Sequence, residues 1–363
     1  MNADTVVDQD MSQAAGYEIY EPGEVDRAIL DPILKEFKLT PESPVLMLPY
    51  GRRGGVGFEI RKLYFAPALN GANGALGSDA TVSAIPAQSL PVTRIISFGD
   101  CNVACGYCKR DMQFIDEDGV PTASTKVPVL DVARLAEGAV RRGEIPRFSG
   151  GDPVMFPSVT LALAKYIDAR YGEKVSIAHN GSGTKWVERL VPYLSSAAID
   201  LKAVPEKIGS IMGIDPKKGQ SMYDRSLATQ RVVSSNGILL DVRTPIFGDT
   251  IVSDMERLAE SIVRVNDLRY TFWTWRMYKP VAGCEYPVPT MDMVIDMMQK
   301  VSAQHSQLWM GMRAKWDRGG MLFMRGGKII STTSDVEVKV QDEFGSGNRV
   351  DVNARDTLAQ LAA

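Results

Sequence analysis

The feature that most constrains the fold is a regular alternation of strand-like and helix-like segments between residues 93 and 280. Short runs rich in β-branched and aromatic residues predict six strands, at Arg94–Phe98, Ile145–Ser149, Val175–His179, Ala197–Ala203, Ile238–Ile246 and Arg269–Met277. Repeated strand–helix units favour a parallel sheet with right-handed crossovers and with helices outside it. Because six units are too few to close as an eight-unit barrel does, we predict an α/β fold, a partial, open (β/α)6 barrel of parallel strands.

Five helices are predicted between these strands from apolar residues spaced three and four apart. They cover Val132–Val140, Ser158–Gly172, Lys185–Leu194, Asp224–Ser235 and Ser253–Val265. Ser158 is the expected N-cap of the second helix, and Ser253 with Glu256 fits a capping box at the start of the fifth.

The predicted core, residues 93–280, is flanked by an N-terminal extension, 1–92, and a C-terminal extension, 281–363, that we expect to close the barrel. The first extension is predicted to hold one helix around Val25–Phe37 and to be disordered over about its first dozen residues. The second has a Met-rich helix, Met291–His305, whose methionines are expected to pack in the core. Strands should follow it near Leu308–Met312, Met321–Met324 and Lys328–Thr332.

Composition places the chain among soluble globular proteins. Of the 363 residues, 45% are hydrophobic and 23% are charged, and the net charge of −3 gives no electrostatic reason to expect a nucleic-acid partner. No stretch approaches the ~18 uninterrupted apolar residues of a membrane span. Since no signal segment is evident and free thiols need a reducing compartment, we expect a cytoplasmic protein with no membrane partner.

Three cysteines, Cys101, Cys105 and Cys108, lie directly after the first predicted strand in the spacing C-x3-C-x2-C. A disulfide framework is disfavoured because the whole chain has 4 cysteines. A structural zinc site usually needs four ligands, and no zinc-finger spacing joins these three to the remaining candidates, Cys284, His179 and His305. Three thiolates on one loop can instead bind three irons of a [4Fe–4S] cluster and leave the fourth iron open to a bound molecule.

This cysteine motif resembles the signature of the radical S-adenosylmethionine (SAM) superfamily. The resemblance implies that Cys101, Cys105 and Cys108 hold a [4Fe–4S] cluster whose open iron is chelated by SAM. It also implies reductive cleavage of SAM to a 5′-deoxyadenosyl radical, which abstracts a hydrogen atom from the substrate. A flavodoxin- or ferredoxin-type reductant would supply the electron. Tyr107, like the aromatic residue of the family at that position, is expected near the adenine.

A second motif, Ser149-Gly150-Gly151-Asp152-Pro153, ends the second predicted strand and taken alone is a turn. It resembles the Gly-Gly-Glu-Pro element with which the family binds the SAM amino group, and Asp152 stands where glutamate is usual. By that resemblance Ser149, Gly150, Gly151 and Asp152 are expected to contact SAM. The two glycines are expected to let the backbone approach the ligand closely.

The ends of the third and fourth strands resemble elements of the glycyl-radical-enzyme activases. His179-Asn180-Gly181-Ser182 is similar to their Asp-Thr-Asn-Gly element, with Ala178 in place of the aspartate, so Asn180 or Ser182 is the candidate ribose contact. His179 is expected either to make a structural hydrogen bond or to be catalytic. Asp200-Leu201-Lys202 is similar to their Asp-Leu-Lys, and its two charged residues share one side of a strand. They either line the lumen or close it as an ion pair.

The fifth and sixth strands add further candidates. Arg243 lies in a run similar to the activases' Val-Arg-x-Pro element and is expected near the SAM carboxylate. Lys202 is also expected to bind the cofactor. Trp273 and Trp275 form either a substrate wall or ordinary packing against a helix. An anionic or zwitterionic substrate would suit four positively charged residues, Lys202, Arg243, Arg276 and Lys279. Cys284 is expected to be a buried structural cysteine, with a late ligand or a radical-carrying thiol as the alternatives. The basic segment from Arg313 to Lys328 is expected to be a solvated hairpin, with contact to phosphates as the alternative.

These observations leave two enzymatic functions and one more distant alternative. The first is a single-cluster radical SAM enzyme acting on a small, anionic or zwitterionic molecule. The second is an activating enzyme that installs a glycyl radical on a partner protein. The distant alternative is an iron–sulfur electron carrier, which would have no need of the Gly-Gly-Asp-Pro element.

Overall fold

The structure is a computed structural model, and it describes residues 23–47, 93–108, 114–115, 121–122, 125–278, 286–313 and 321–332. Its helices are α1 (Arg27–Glu36), α2 (Val129–Arg141), α3 (Pro157–Tyr171), α4 (Thr184–Leu190), α5 (Pro205–Ile211), α6 (Gly219–Ser235), α7 (Val252–Val265) and α8 (Met291–Gln304). Its strands are β1 (Pro44–Met47), β2 (Thr93–Phe98), β3 (Phe114–Ile115), β4 (Pro121–Thr122), β5 (Thr125–Pro128), β6 (Ile145–Gly150), β7 (Val175–His179), β8 (Leu194–Asp200), β9 (Leu239–Ile246), β10 (Thr271–Met277), β11 (Trp309–Arg313), β12 (Met321–Arg325) and β13 (Lys328–Thr332). Several predictions concern residues outside these ranges. They are the disorder of the first dozen residues, the roles of Lys279 and Cys284, and most of the basic hairpin.

Within these ranges, one sheet of 11 strands has the order β13-β12-β11-β10-β9-β8-β7-β6-β2-β1-β5, and β3 pairs with β4 in a separate hairpin. The strands from β2 through β11 in this order are parallel to one another. Antiparallel strands flank them on both sides. The sheet is open, since β13 and β5 are its two edges, and the predicted open α/β fold is confirmed.

The parallel part of the sheet is one strand longer than the six predicted. β11 pairs in parallel with β10, so a strand assigned to the C-terminal extension continues the core sheet. β1 from the N-terminal extension likewise pairs with β2. The sheet thus includes strands from both sides of the predicted domain boundaries at residues 92 and 280. The boundaries themselves stay predictions.

Two predicted helix caps are wrong. α3 begins at Pro157 with Phe156 in the N-cap position, so Ser158 lies inside the first turn. α7 begins at Val252, and its N-cap, Ile251, makes no side-chain capping bond. A proline in the first helical position has the fixed φ that starts a helix without a polar cap. Helix α5, which begins in the same way at Pro205, was not predicted.

The two faces of the parallel sheet have opposite character, because successive side chains of a strand alternate between them. One face is apolar and belongs to the same core as the helices, with Ile177, Ile199, Val242, Trp273 and Trp275 among its buried residues. Trp273 also donates its indole N–H to Thr244 Oγ1 at 2.8 Å. The tryptophans are therefore packing residues, and the predicted alternative of a substrate wall is wrong.

The opposite side, called here the polar face, carries Ser149, Asp200, Asp241, Arg243, Thr274 and Arg276 in alternation with those apolar residues. Strand register places Asp200 beside Arg243 and Arg243 beside Thr274, so the three form one row across β8, β9 and β10. All parallel strands end at one edge of the sheet. The loops that follow them, including the cysteine loop, therefore meet at that edge.

The predicted Met-rich helix is confirmed as α8, with Met297 and Met298 buried in the core. None of the helices in the described residues is long and apolar enough to cross a membrane.

Candidate functional site

The cysteine loop follows β2 and is held by backbone hydrogen bonds. Cys108 donates its N–H to the carbonyl of Cys105 at 2.9 Å, and Ala104 donates its own to the carbonyl of Met212 at 3.0 Å. Gly213, with a φ of 63°, packs so closely on Ala104 that a Cβ there would overlap the Ala104 carbonyl. The loop thus rests on the segment that follows α5.

Burial shapes the chemistry of the three thiols. It raises the pKa of Cys101 to about 12, with a further contribution from the nearby Asp152 carboxylate. It raises the pKa of Cys105 to about 11, against the opposing attraction of Lys202. Such thiols lose their protons when a cation binds them, and metal binding supplies that cation.

The donor set fits a cluster better than a single ion. In the described part of the chain, no three His, Cys, Asp or Glu side chains come close enough together to hold one metal ion. In a [4Fe–4S] cluster each cysteine binds a different iron, so the sulfurs stand farther apart than the ligands of one ion. Three free cysteine thiols on a single loop can each bind a different iron.

The Gly-Gly turn at the end of β6 approaches the cysteine loop itself. Gly151 donates its N–H to the carbonyl of Phe98, and Asp152 donates its N–H to the carbonyl of Asp100, both at 2.6 Å. A Cβ at Gly150, whose φ is 111°, would overlap the Phe98 backbone, and one at Gly151 would overlap Asp100. Glycine is required here by the chain's own packing, a reason that the sequence alone did not reveal.

Asp152 is buried beneath this turn and accepts three hydrogen bonds. Val154 N–H donates to Oδ1 at 3.0 Å and Asn180 N–H to Oδ2 at 2.8 Å. His179 Nδ1 lies 2.7 Å from Oδ1. His179 also accepts the Gly183 N–H at Nε2, at 2.8 Å. The structure therefore places His179 in structural hydrogen bonds, which was one of the two predicted roles.

Asn180 and Ser182, the two predicted ribose contacts, lie beside the cysteine loop. Asn180 Nδ2 donates to Asn102 Oδ1 at 2.6 Å and lies 4.0 Å from Cys101 Sγ. Asn102 Nδ2 in turn donates to Ser182 Oγ at 2.8 Å. Asn102 was missed by the sequence analysis, because no spacing rule links it to residues about eighty positions away.

Lys202 joins Asp200 to Tyr107. Its ammonium donates to Asp200 Oδ2 at 2.7 Å and to the Tyr107 hydroxyl at 2.8 Å. Burial alone would raise the pKa of Asp200, but attraction to Lys202 outweighs it and holds that pKa below its usual range. Burial would lower the pKa of Lys202, and Asp200 holds it well above its usual range. The predicted ion pair is therefore present, and its lysine also donates a hydrogen bond to Tyr107 of the cysteine loop.

An aromatic cluster covers Tyr107. Its ring meets Phe247 edge-on at 5.3 Å, and Phe247 stacks on Tyr286 at 4.5 Å. The Gly248 N–H donates to the Pro287 carbonyl at 2.7 Å, so the segment before α8 is fixed over the end of β9. Tyr286 was also missed, because a lone tyrosine outside any motif carries no pattern.

Arg243 projects from β9 on the polar face and is held by Asp241. Its Nε donates to Asp241 Oδ2 at 2.6 Å, and the Thr274 hydroxyl donates to the other carboxylate oxygen. Asp241 is 2% exposed, so a buried carboxylate holds the Arg243 side chain in place. The i, i+2 pairing that identified Asp200 and Lys202 would also have identified Asp241 and Arg243.

Comparison with known proteins places this site in a family. Residues 95–262 match the model of the radical SAM superfamily. No curated protein sequence matches the chain.

Several solved structures resemble it. A radical SAM methyltransferase from Sphaerobacter thermophilus is 13% identical, with a TM-score of 0.47 over 61% of this chain and 67% of that one. Streptococcus suis SuiB bound to S-adenosylmethionine is 16% identical, with a TM-score of 0.38 over 53% and 42%. A domain of pyruvate-formate lyase-activating enzyme from Bacteroides vulgatus ATCC 8482 is 14% identical, with a TM-score of 0.35 over 43% and 91%. The chain thus spans less than half of the length of SuiB.

Residues 95–262 are accordingly a radical SAM domain. The cofactors of such a domain are a [4Fe–4S] cluster and SAM, as the cysteine motif implied.

Proposed function

We propose that this chain is a radical SAM enzyme that reductively cleaves SAM and abstracts a hydrogen atom from a small, anionic or zwitterionic substrate. The observation that carries the proposal is the row of charged residues on the polar face. Asp200 and Arg243 lie side by side on β8 and β9, at the sheet edge where the cysteine loop also lies. Lys202 connects that row to Tyr107 in the loop.

The three cysteines are proposed to hold the cluster through one thiolate each. The cluster supplies the electron that cleaves SAM, and the protein's part is to bind, orient and shield the reactants. The backbone at Ser149, Gly150 and Gly151 is proposed to accept hydrogen bonds from the SAM amino group. Asn180 and Ser182 are proposed to contact the ribose, from their position beside Cys101.

Arg243 and Lys202 are proposed to bind the methionine carboxylate of SAM. The Arg243 guanidinium uses its Nε to donate to Asp241. Its two terminal amino groups have the planar fork geometry that matches a carboxylate. Arg276 adds a further positive charge to the same face for the substrate.

The direct test is anaerobic reconstitution with iron and sulfide, followed by dithionite, SAM and chromatography for 5′-deoxyadenosine. The wild type should form it and Cys105→Ala should not. Arg243→Lys keeps the charge and loses the fork, so it should raise the KM for SAM about tenfold. Arg257→Lys is the matched control, since Arg257 is an exposed arginine paired with Glu206. A reduced four-iron cluster that forms no deoxyadenosine would contradict the proposal.

The second candidate function is installation of a glycyl radical on a partner protein, favoured by the similarity of the Asp200-Leu201-Lys202 strand end to the activases. A reductant of the flavodoxin or ferredoxin type is proposed in either case. Deuterium transferred from a labelled small molecule into 5′-deoxyadenosine supports the first function. A glycyl-radical signal in the electron paramagnetic resonance (EPR) spectrum of a second protein would support the other.

A further inference from the structure

We propose that Asp152 is a positioning residue that fixes the cysteine loop relative to the β7 loop (residues 179–183), acting through His179 and Asn180 and not by binding the SAM amino group. The inference deepens the proposed function and rests on it for the identity of the bound cofactors. The evidence is a set of hydrogen bonds in which other residues of the protein donate to the Asp152 carboxylate.

The carboxylate has little capacity left for a ligand. An ionised carboxylate accepts at two oxygens, and here both already accept, from Val154 N–H, His179 Nδ1–H and Asn180 N–H. Three of its roughly four lone-pair positions are thus used. Because Asp152 is 1% exposed, an ammonium group would have to enter a closed site to reach the fourth. Three charge-assisted hydrogen bonds to one buried carboxylate are strong structural contacts.

The hydrogen-bond partners of His179 determine which nitrogen carries the proton. Nε2 accepts a hydrogen bond from the Gly183 N–H and is therefore unprotonated. Nδ1 then carries the proton and donates it to Asp152 Oδ1. The ring is a neutral link between Asp152 and Gly183, and Trp186 packs against it edge-on at 5.1 Å.

From Asp152 the contacts reach the cysteine loop by two routes. The backbone route is the Asp152 N–H, which donates to the Asp100 carbonyl beside Cys101. The side-chain route runs through Asn180 to Asn102, which also donates to Ser182. Asp152 is thus the point where the Gly-Gly turn, the β7 loop and the cysteine loop are joined.

The charge of Asp152 also acts on the loop. The carboxylate is buried, and its own residue donates a backbone N–H to the carbonyl of Asp100, directly before Cys101, so the charge lies close to the cysteine loop. Removing the charge should make an added electron easier to accommodate. The midpoint potential of the reconstituted cluster should therefore rise in Asp152→Asn, in the absence of SAM.

The test compares four variants by the EPR spectrum and midpoint potential of the cluster before SAM is added, and by the Kd for SAM afterwards. In Asp152→Asn, the new amide N–H must face at least one of the three donors. We expect a changed SAM-free spectrum, a higher potential and deoxyadenosine formation reduced about 10–100-fold, the range for lost outer contacts of a metal site. Asp215→Asn is the matched control, because Asp215 is an exposed aspartate that caps a proline-led turn in the same way.

Two substitutions of His179 separate its contacts. His179→Asn can place an amide N–H near the Nδ1 position and keep the bond to Asp152. His179→Gln can place an amide oxygen near the Nε2 position and keep only the Gly183 bond. We expect His179→Gln to resemble Asp152→Asn and His179→Asn to stay closer to wild type. Equal effects of the two on the SAM-free spectrum would overturn the role of the Asp152 contact.

Asn102→Ala guards against a simple folding defect, since Asn102 is exposed, with exposed Asn236→Ala as its control. We expect it to change the SAM-free spectrum in the same direction, by less than Asp152→Asn. An Asp152→Asn protein with a wild-type SAM-free spectrum and potential but a weakened Kd for SAM would show direct binding and overturn the inference. If the wild type forms no deoxyadenosine, the proposed function fails, while the SAM-free spectra still decide the role of Asp152.

Discussion

The sheet edge that carries the site has two halves built in different ways. At β2, β6 and β7, which we call the backbone half, the loops are joined by peptide hydrogen bonds and by glycines in close approach, such as Gly150 and Gly151. At β8, β9 and β10, which we call the charged half, ion pairs such as Asp241–Arg243 do the joining. The polar side chains that join the loops of the backbone half include the amides of Asn102 and Asn180 and one buried carboxylate, Asp152.

The difference indicates how the two halves can respond to substitution. Peptide groups in contact leave no space for an added methyl group, so the backbone half should be sensitive to volume. Partly buried ion pairs leave an uncompensated charge when one partner is removed, so the charged half should be sensitive to charge.

The largest effect is expected in the charged half, from Asp241→Ala. This substitution removes the carboxylate that holds Arg243 and Thr274 in a buried position. We expect a loss of about 3–5 kcal/mol in the free energy of unfolding, measured by urea denaturation. Asp267→Ala, which breaks the more exposed pair with Arg269, should cost about 1 kcal/mol or less. If Asp241→Ala costs no more than its control, Asp200 beside Arg243 supplies the missing charge.

In the backbone half, Gly151→Ala should be the most damaging small change. Its methyl group would overlap the Asp100 backbone and push the cysteine loop away. We expect a loss of about 1–3 kcal/mol in the free energy of unfolding together with less iron bound per chain. Gly106→Ala in the same loop is the control, because its Cβ would lie at an ordinary 3.6 Å from Tyr286. Full iron content in Gly151→Ala would contradict volume sensitivity.

Tyr107→Phe tests the junction of the two halves with a smaller effect. The substitution removes the hydroxyl that accepts from Lys202 and leaves the ring packed on Phe247. We expect a loss of about 0.5–1.5 kcal/mol, the usual net worth of one hydrogen bond. The control is Tyr270→Phe, in a tyrosine stacked under Arg269 at 5.6 Å. Equal stability of wild type and Tyr107→Phe would show that the hydroxyl contact contributes nothing.

The smallest effect is a pH dependence in the charged half. The pKa of Asp200 is lowered in the folded protein, so its ionised form adds stability above the unfolded pKa of about 3.9. That contribution is lost as the pH falls through the lower folded value. Asp200→Asn should be less stable than wild type at pH 7, and the gap should narrow below about pH 4. A gap that stays constant with pH in denaturation curves would disprove the linkage.

Much of the fold could be predicted from the sequence. Five of the six core strands begin and end within about two residues of their predicted limits, since β-branched runs bounded by glycine and proline are local signals. The fourth was placed about three residues late because Leu201 and Ala203 continue the alternation of apolar and polar residues beyond the end of the strand. The seventh parallel strand, β11, was identified as a strand, but its pairing with β10 depends on which edge it meets in space.

The site divides in the same way. The cysteines, the Gly-Gly turn, Lys202 and Arg243 were found because each belongs to a short motif. Asn102 and Tyr286 belong to none, and they matter because folding brings them against Asn180 and Phe247.

The sequence by itself determined the order of strands and helices, the three-cysteine loop and the radical SAM domain, because these depend on residues close together in the chain. Only the tertiary structure decided what each motif residue touches. Gly150 and Gly151 make room for Phe98 and Asp100. The Asp152 carboxylate bonds to residues of the β7 loop. Contacts between loops far apart in sequence depend on the register of the strands that carry them, and register is set by the packing of the whole sheet.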